Sequence, residues 1–127
     1  MIRTHYSLFI LGYCAAIFWC SHQPQPVNIE VLPGLDKLVH MAVYGGLAAL
    51  VSLALRRSNT EVHPILQFLG PLGFALLYGL FDEAHQYFVP TRSFDPLDLI
   101  ADAFGALAVQ WFLCRILWRI PIGRQVQ

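Results

Sequence analysis

Two uninterrupted stretches without a formal charge, residues 38–55 and 62–81, constrain this chain more than any other feature. An α-helix rises about 1.5 Å per residue, so roughly 20 residues cover the hydrocarbon core of a bilayer, which is about 30 Å thick. Two further apolar segments cover about residues 6–20 and 97–118. Each of the four segments is therefore long enough, or nearly long enough, to cross a membrane as a helix.

The composition also indicates a membrane environment. Hydrophobic residues make up 57% and charged residues 13% of the 127 residues, whereas a soluble domain carries roughly 25% charged residues. We therefore expect an all-α membrane protein, a four-transmembrane-helix bundle with helices at about residues 5–21, 35–55, 64–88 and 97–118. The length fits a single domain over residues 1–127.

The first apolar segment has a second interpretation, a cleaved signal peptide with Arg3 as its basic n-region. However, the apolar run ends with Phe18-Trp19-Cys20, which lacks the small residues of a cleavage site. We therefore interpret this segment as a membrane helix.

Arginine and lysine are distributed unequally over the loops and termini. With four spans, one side of the membrane carries six of these residues: Arg3, Arg56, Arg57, Arg115, Arg119 and Arg124. The other side carries Lys37 and Arg92. The positive-inside rule then predicts that both termini are cytoplasmic and that most of the acidic residues lie outside. Because topology explains the basic residues, we predict no nucleic-acid binding.

Polar side chains gather at the outer ends of three predicted helices. They are Asp36, Lys37 and His40 of the second helix, Asp82, Glu83 and Gln86 of the third, and Asp98 and Asp102 of the fourth. Polar groups at the end of an apolar helix are costly unless they pair with one another or bind a ligand. The sequence therefore predicts a polar site at the extracytoplasmic boundary.

Three spaced motifs support a family resemblance. They are Asp36-Lys37-x-x-His40, Gly79-x-x-Asp82-Glu83-x-x-Gln86 and Asp98-x-x-x-Asp102-x-x-Gly105, with Phe88, Pro90 and Arg92 between the last two. On these residues, the chain resembles the VanZ-like family of small bacterial membrane proteins over residues 35–109. It departs from the family pattern at Thr91, where Gly is common, and at Asp102, where Asn is common. The resemblance implies a multi-pass protein of the bacterial inner membrane and a link to resistance to the glycopeptide antibiotic teicoplanin.

The polar residues at this boundary suggest distinct roles. We expect His40 and Glu83 to act as acid and base. Asp36, one helical turn before His40, could orient it as a carboxylate orients a general base, or it could cap the helix beside an interfacial His40. We expect Glu83 and Arg92 to pair across the turn at Pro90, and a purely structural clamp between them is the alternative. The candidates for ligand binding are Asp36, Lys37, Gln86, Arg92, Asp98 and Asp102.

No sequence pattern indicates a cofactor. The chain contains no Gly-rich phosphate loop, nucleophile elbow or zinc signature. Asp98 and Asp102 could join Glu83 as oxygen ligands of a divalent cation, but their spacing does not specify one. We predict no metal and no cofactor.

Three functions are compatible with these residues. The first is recognition or modulation of a membrane lipid, namely an outer-leaflet lipid or cell-envelope precursor head group, because Lys37 and Arg92 lie beside carboxylates. The second is a membrane-embedded enzyme that acts on such a head group through His40 and Glu83. The third, a small transporter, is least favoured because the polar residues hardly continue through the cytoplasmic half. The oligomeric state stays open.

Overall fold

The computed structural model describes residues 4–24, 34–58 and 62–117. Within these ranges the protein is all-helical, as predicted. The four helices are α1 (Thr4–His22), α2 (Leu35–Arg56), α3 (Pro64–Gln86) and α4 (Pro96–Leu117). α3 ends two residues before the expected position 88, because the chain leaves the helix for a turn at residues 87–91.

Three helices of the described chain are long and apolar enough to cross a membrane: Leu35–Arg56, Pro64–Gln86 and Pro96–Ile116. α1 has 19 residues and is not among them. The protein is therefore a helical membrane protein with three helices of spanning length. A fourth span through α1 and the cytoplasmic location of both termini stay predictions.

The outer surface of the bundle is apolar. Large hydrophobic side chains are exposed on all four helices, among them Leu11, Leu38, Leu77 and Trp111. A soluble monomer rarely exposes contiguous apolar patches of more than a few hundred square ångströms. This surface therefore suits contact with lipid tails.

α2 and α3 form the centre of the bundle, because each of them contacts all three other helices. α4 packs mainly on α2, whereas α1 packs on α2 and α3 without contacting α4. The bundle therefore has an α4 side and an α1 side, separated by the central pair.

Small residues let α2 and α4 approach closely. A Cβ atom at Gly105 of α4 would collide with the backbone of Met41 of α2. Glycine is common where membrane helices cross at short distance, because their backbones then pack directly. This close crossing sets the distance between polar side chains on the two helices.

The connection between α3 and α4 brings further polar groups to the end of α3. Thr91 adopts a φ of 68°, which a β-branched residue rarely tolerates. Asp95 caps α4, since its Oδ1 accepts a hydrogen bond from the Leu97 N–H at 2.9 Å and Pro96 occupies the first helical position. The connection thus returns the chain past the last turn of α3.

Candidate functional site

The polar ends of α2, α3 and α4 converge at one end of the bundle, in two neighbouring groups. On the α4 side of α3 lies the Glu83 cluster, which consists of Lys37, His40, Glu83, Asp98 and Asp102. On the α1 side lies the Arg92 cavity, whose polar border includes His40, Asp82, Gln86 and Arg92. The adjacent carboxylates of α3 therefore belong to different groups.

Lys37 binds three carboxylates within the Glu83 cluster and beside it. Its Nζ lies 3.0 Å from Asp36 Oδ2, 2.6 Å from Asp95 Oδ2 and 2.5 Å from Asp98 Oδ1. The hydrogen bond from Lys37 and a second one from the Leu97 N–H hold the pKa of Asp95 below its usual value. An ammonium group has three N–H donors, so Lys37 is fully engaged by the protein itself.

His40 is oriented by Asp102, and of the two interpretations of Asp36 the one in which it orients His40 is wrong. The Nδ1 of His40 lies 2.9 Å from Asp102 Oδ1, while its Nε2 lies 3.6 Å from Asp98 Oδ2. The Asp36 side chain is 54% exposed and bonds to Lys37 instead. Asp102 reaches His40 because α4 packs closely on α2, a distance that helical spacing within α2 does not reveal.

Glu83 lies beside His40, as predicted, but it does not pair with Arg92. One ring nitrogen of His40 and one carboxylate oxygen each of Glu83 and Asp98 lie within 4.8 Å of one another. Glu83 is fully buried, and its Oε2 accepts a hydrogen bond from the Asp95 N–H at 3.0 Å. Its Oε1 has no hydrogen-bond partner among the described residues.

Arg92 turns toward α1, which corrects the predicted Glu83–Arg92 pair. Its Nη1 donates to Gln86 Oε1 at 3.2 Å, its Nε to the Gln23 carbonyl at 2.9 Å and its Nη2 to the Cys20 carbonyl at 3.4 Å. The turn after α3 carries the guanidinium to the Gln86 face of the helix, whereas Glu83 points to α2 and α4. In the described chain, no carboxylate lies within 4.0 Å of Arg92.

The Arg92 cavity lies between α1, α2 and α3 and has a volume of about 300 Å³. Gln86 connects two charged groups at its border, since its amide accepts from Arg92 and its Nε2 donates to Asp82 Oδ2 at 3.0 Å. The other part of the lining is mainly apolar and includes Ile17, Val39 and Val43. The cavity is therefore amphipathic.

Gly79 provides the space for the inner edge of the Glu83 cluster. A Cβ atom at this position would lie 2.7 Å from Asp102 Oδ2 and 3.4 Å from the Tyr44 ring. Any side chain at position 79 would therefore push Asp102 away from its position beside His40. This contact explains why the motif places Gly79 one helical turn before Glu83.

Two residues of the site were not among the sequence candidates for catalysis or ligand binding, Asp95 and Asp82. Asp95 contributes its backbone N–H to Glu83 and its carboxylate to Lys37. Its signal was an Asp directly before a Pro at the start of a helix, a typical N-cap pattern. Asp82 lay within a recognised motif, but only the tertiary structure shows that it borders the cavity.

The Glu83 cluster can support acid–base chemistry or cation binding. A buried carboxylate that accepts from one nitrogen of an imidazole fixes the tautomer and directs the other nitrogen, here Nε2, toward a reactant. The nearby Glu83 carboxylate offers a second proton-transfer group. Among the described residues, His40, Glu83 and Asp98 are also the three that could hold a metal ion together.

Comparison with known families agrees with the resemblance noted in the motifs. The family model described as VanZ/LLP1 matches residues 4–118, a wider range than the predicted 35–109. No curated protein and no solved structure matches the chain. The matched range includes every residue of the Glu83 cluster and of the Arg92 cavity.

Proposed function

The chain belongs to the VanZ/LLP1 family of membrane proteins, and from this premise we propose that it binds a phosphate-bearing head group. The head group belongs to an outer-leaflet lipid or to a lipid-linked cell-envelope precursor. The Arg92 cavity is the proposed binding site. The observation behind the proposal is an arginine without a carboxylate partner in the described chain, placed at the polar border of an amphipathic cavity.

The guanidinium of Arg92 is suited to a phosphate. Its three hydrogen bonds go to neutral oxygens, and a guanidinium has five N–H donors. Two donors and the full positive charge are thus available within the described residues. Arginine binds phosphate oxygens through paired, charge-assisted hydrogen bonds.

The cavity size supports a head group rather than a whole lipid. A volume of about 300 Å³ lies at the lower end of the range for small-molecule pockets. The polar part of the ligand would meet Arg92 and Gln86, and its first carbon atoms would meet Ile17 and Val43. The remaining acyl chain would stay in the bilayer, along the apolar surface of α1.

Asp82 supports a head group that also carries an amine. Asp82 is buried, and in the described chain its neighbours are the neutral Gln86 amide and the Tyr44 hydroxyl, with no cation beside it. Gln86 separates this carboxylate from the Arg92 guanidinium. A phosphate beside Arg92 and an ammonium beside Asp82 would complement both charges, as in a phosphoethanolamine group.

Native lipid analysis tests the proposal. Wild type and Arg92→Ala are purified in mild detergent, and their co-purifying lipids are quantified by mass spectrometry. Arg57→Ala is the matched control, because it removes an exposed arginine from the opposite end of α2. We expect a phosphate-bearing lipid that is depleted in Arg92→Ala and retained in Arg57→Ala. Equal lipid content in all three proteins would refute the proposal.

The source of the head group needs a second measurement. Wild-type protein is reconstituted into nanodiscs that contain phosphatidylethanolamine, phosphatidylglycerol or a polyprenyl-diphosphate precursor. Preference for the first or the last distinguishes a bulk lipid from an envelope precursor. The link to teicoplanin resistance belongs to the same proposal. At equal membrane levels, cells with wild-type protein should tolerate more teicoplanin than cells with Arg92→Ala.

A membrane-embedded enzyme is the second candidate, and the Asp102–His40 contact favours it. The bond at 2.9 Å is the arrangement in which a carboxylate orients a histidine base. Glu83 would then act as the second acid–base group on a head group bound nearby. Purified protein should hydrolyse its bound lipid, with water as the nucleophile and the head group as the leaving group, and His40→Ala should keep the lipid without turnover. Lipid that stays intact in the wild type excludes this candidate.

A further inference from the structure

We propose that the Glu83 cluster binds one divalent transition-metal ion, Zn²⁺ or Mn²⁺, through His40, Glu83 and Asp98. The proposal is independent of head-group binding in the Arg92 cavity. One atom from each of the three side chains lies within 4.8 Å of the others. Two ligands that are each about 2.1 Å from an ion are at most about 4.2 Å apart. Small side-chain movements therefore suffice for coordination.

The histidine is already oriented as a metal ligand. Metal-binding histidines commonly donate their second N–H to a carboxylate, which fixes the tautomer and the ring orientation. In this protein, Nδ1 of His40 lies 2.9 Å from Asp102 Oδ1, and Nε2 faces Asp98 Oδ2 at 3.6 Å. Asp102 is thus a positioning residue, and the Nε2 lone pair points to the carboxylates that would share the ion.

A buried oxygen without a partner provides independent support. Glu83 is 0% exposed, and its Oε1 has no hydrogen-bond partner among the described residues. Its other oxygen is held by the Asp95 N–H at 3.0 Å. A buried carboxylate oxygen without a donor is costly. A cation between Glu83 and His40 would satisfy this oxygen.

The local charges also favour a cation. At this end of the bundle the described chain places six carboxylates against two permanent cations, Lys37 and Arg92. The carboxylates are Asp36, Asp82, Glu83, Asp95, Asp98 and Asp102. Lys37 is shared by three of them, and Arg92 lies on the other side of α3. A divalent ion would offset half of the remaining excess of four negative charges.

The donor set selects the class of ion. Imidazole nitrogen favours Zn²⁺ and other transition metals, whereas carboxylate oxygens also bind Mn²⁺, Mg²⁺ and Ca²⁺. One nitrogen and two carboxylates therefore favour Zn²⁺ or Mn²⁺ over Mg²⁺ and Ca²⁺. Water or a ligand would complete the coordination, since three protein ligands leave a position open.

Metal titration of the purified protein tests the site. Wild-type protein in detergent is stripped with EDTA and titrated calorimetrically with Zn²⁺, Mn²⁺, Mg²⁺ or Ca²⁺, and bound metal is measured by elemental mass spectrometry. We expect one Zn²⁺ or Mn²⁺ per chain and weaker binding of Mg²⁺ and Ca²⁺. Wild-type protein that retains no stoichiometric Zn²⁺ or Mn²⁺ would overturn the proposal.

Two ligand variants and one matched control locate the ion. His40→Ala and Glu83→Gln should each weaken binding at least about 100-fold. His85→Ala is the control, because His85 lies at the same end of the bundle but contacts His22 at 3.2 Å. It should keep the wild-type affinity. Loss of binding in His85→Ala with retention in His40→Ala would assign the ion to the histidine pair and refute the proposal.

Asp102→Asn keeps the test decisive if a ligand variant fails to fold. Asn has nearly the same shape and volume as Asp, so the variant should fold normally. It should still bind one ion, but about 10- to 100-fold more weakly, because Asn orients His40 less strongly. Unchanged affinity in a folded Asp102→Asn protein would remove Asp102 from the site and contradict the proposed geometry.

Discussion

The Glu83 cluster and the Arg92 cavity differ in the helix that completes them. α4 completes the Glu83 cluster with Asp98 and Asp102, and its close crossing with α2 leaves the carboxylates buried. α1 and the residue directly after it complete the Arg92 cavity, with mainly apolar side chains and the backbone carbonyls of Cys20 and Gln23. Two adjacent carboxylates of one helix therefore enter environments with different volume and charge.

The sequence predicted one polar site, whereas the structure divides its residues into two groups that suit different ligands. The Glu83 cluster is tightly packed and rich in negative charge, so it suits a small cation. The Arg92 cavity is larger and contains a guanidinium without a carboxylate partner in the described chain, so it suits an anionic group with an apolar extension. His40 borders both, because it belongs to the cluster and also lines the cavity. His40 is therefore the residue that the two groups share.

Gly105→Ala should have the largest effect on stability, and it should act on the α4 side. The added Cβ would collide with the Met41 backbone, which cannot move without separating α2 from α4. We expect a loss of roughly 3 kcal/mol in the free energy of unfolding, measured by SDS titration in mixed micelles. Gly73→Ala is the control, since a Cβ there meets no atom within 4 Å. Equal stability of both variants would contradict the close crossing.

Lys37→Met should destabilise the protein more than Arg92→Met. Lys37 forms ion pairs with three carboxylates, and its side chain is 27% exposed. Removal of one partner from a buried ion pair costs about 3–5 kcal/mol, and partial exposure reduces this to about 2 kcal/mol. In the described chain Arg92 contacts neutral oxygens, so its loss leaves no carboxylate there unpaired and should cost about 1 kcal/mol. Unfolding in mixed micelles compares the two, and the reverse order would mean that Arg92 is the structural cation.

Double-mutant cycles distinguish the pairs directly. The coupling energy between Lys37 and Asp98 should be about 1 kcal/mol, because the two groups form a short ion pair. Coupling between Glu83 and Arg92 should stay below about 0.5 kcal/mol, as for residues without contact. The substitutions are Lys37→Met, Asp98→Asn, Glu83→Gln and Arg92→Met, each measured alone and in its pair. Strong coupling between Glu83 and Arg92 would support the ion pair that the sequence predicted and contradict their separation in the structure.

The helices and the convergence of their polar ends could be predicted from the sequence, but the pairing of the side chains could not. Apolar runs bounded by Pro64, Pro96 and charged residues define the helices and their outer ends. Pairing depends on distances between helices. The contact of Asp102 with His40 requires the close crossing at Gly105 and the open space at Gly79. Neither distance follows from periodicity within a single helix.

The direction of Arg92 was unpredictable for a related reason. Sequence separation placed it near Glu83, but the backbone of the preceding residue decides which face of α3 it reaches. Thr91 has a left-handed φ of 68°, and the turn that contains it carries Arg92 to Gln86. A Gly at this position would have indicated a left-handed turn, whereas Thr does not predict one.

Thr91→Gly should have the smallest effect, and it should be stabilising. A left-handed conformation costs a β-branched residue about 1–2 kcal/mol, and glycine avoids this cost. Glycine also increases the conformational entropy of the unfolded chain, which lowers the free energy of unfolding by about 0.4–1 kcal/mol. The net gain is therefore about 0.5 kcal/mol, less any contact that the Thr91 side chain makes. Thr91→Ala is the control, because it removes the hydroxyl but keeps a Cβ, so it should not reproduce the gain.

The same variant sharpens the comparison between the two groups. The turn at Thr91 positions Arg92 but contributes nothing to the contacts of His40 with Asp102. Glycine adopts the same left-handed φ, so Thr91→Gly should leave both metal binding by the Glu83 cluster and lipid retention in the Arg92 cavity unchanged. Unfolding in mixed micelles, metal titration and lipid mass spectrometry on one preparation measure all three effects. A change in metal affinity without a change in lipid retention would show that the turn supports the Glu83 cluster, and the two groups would then have to be treated as one site.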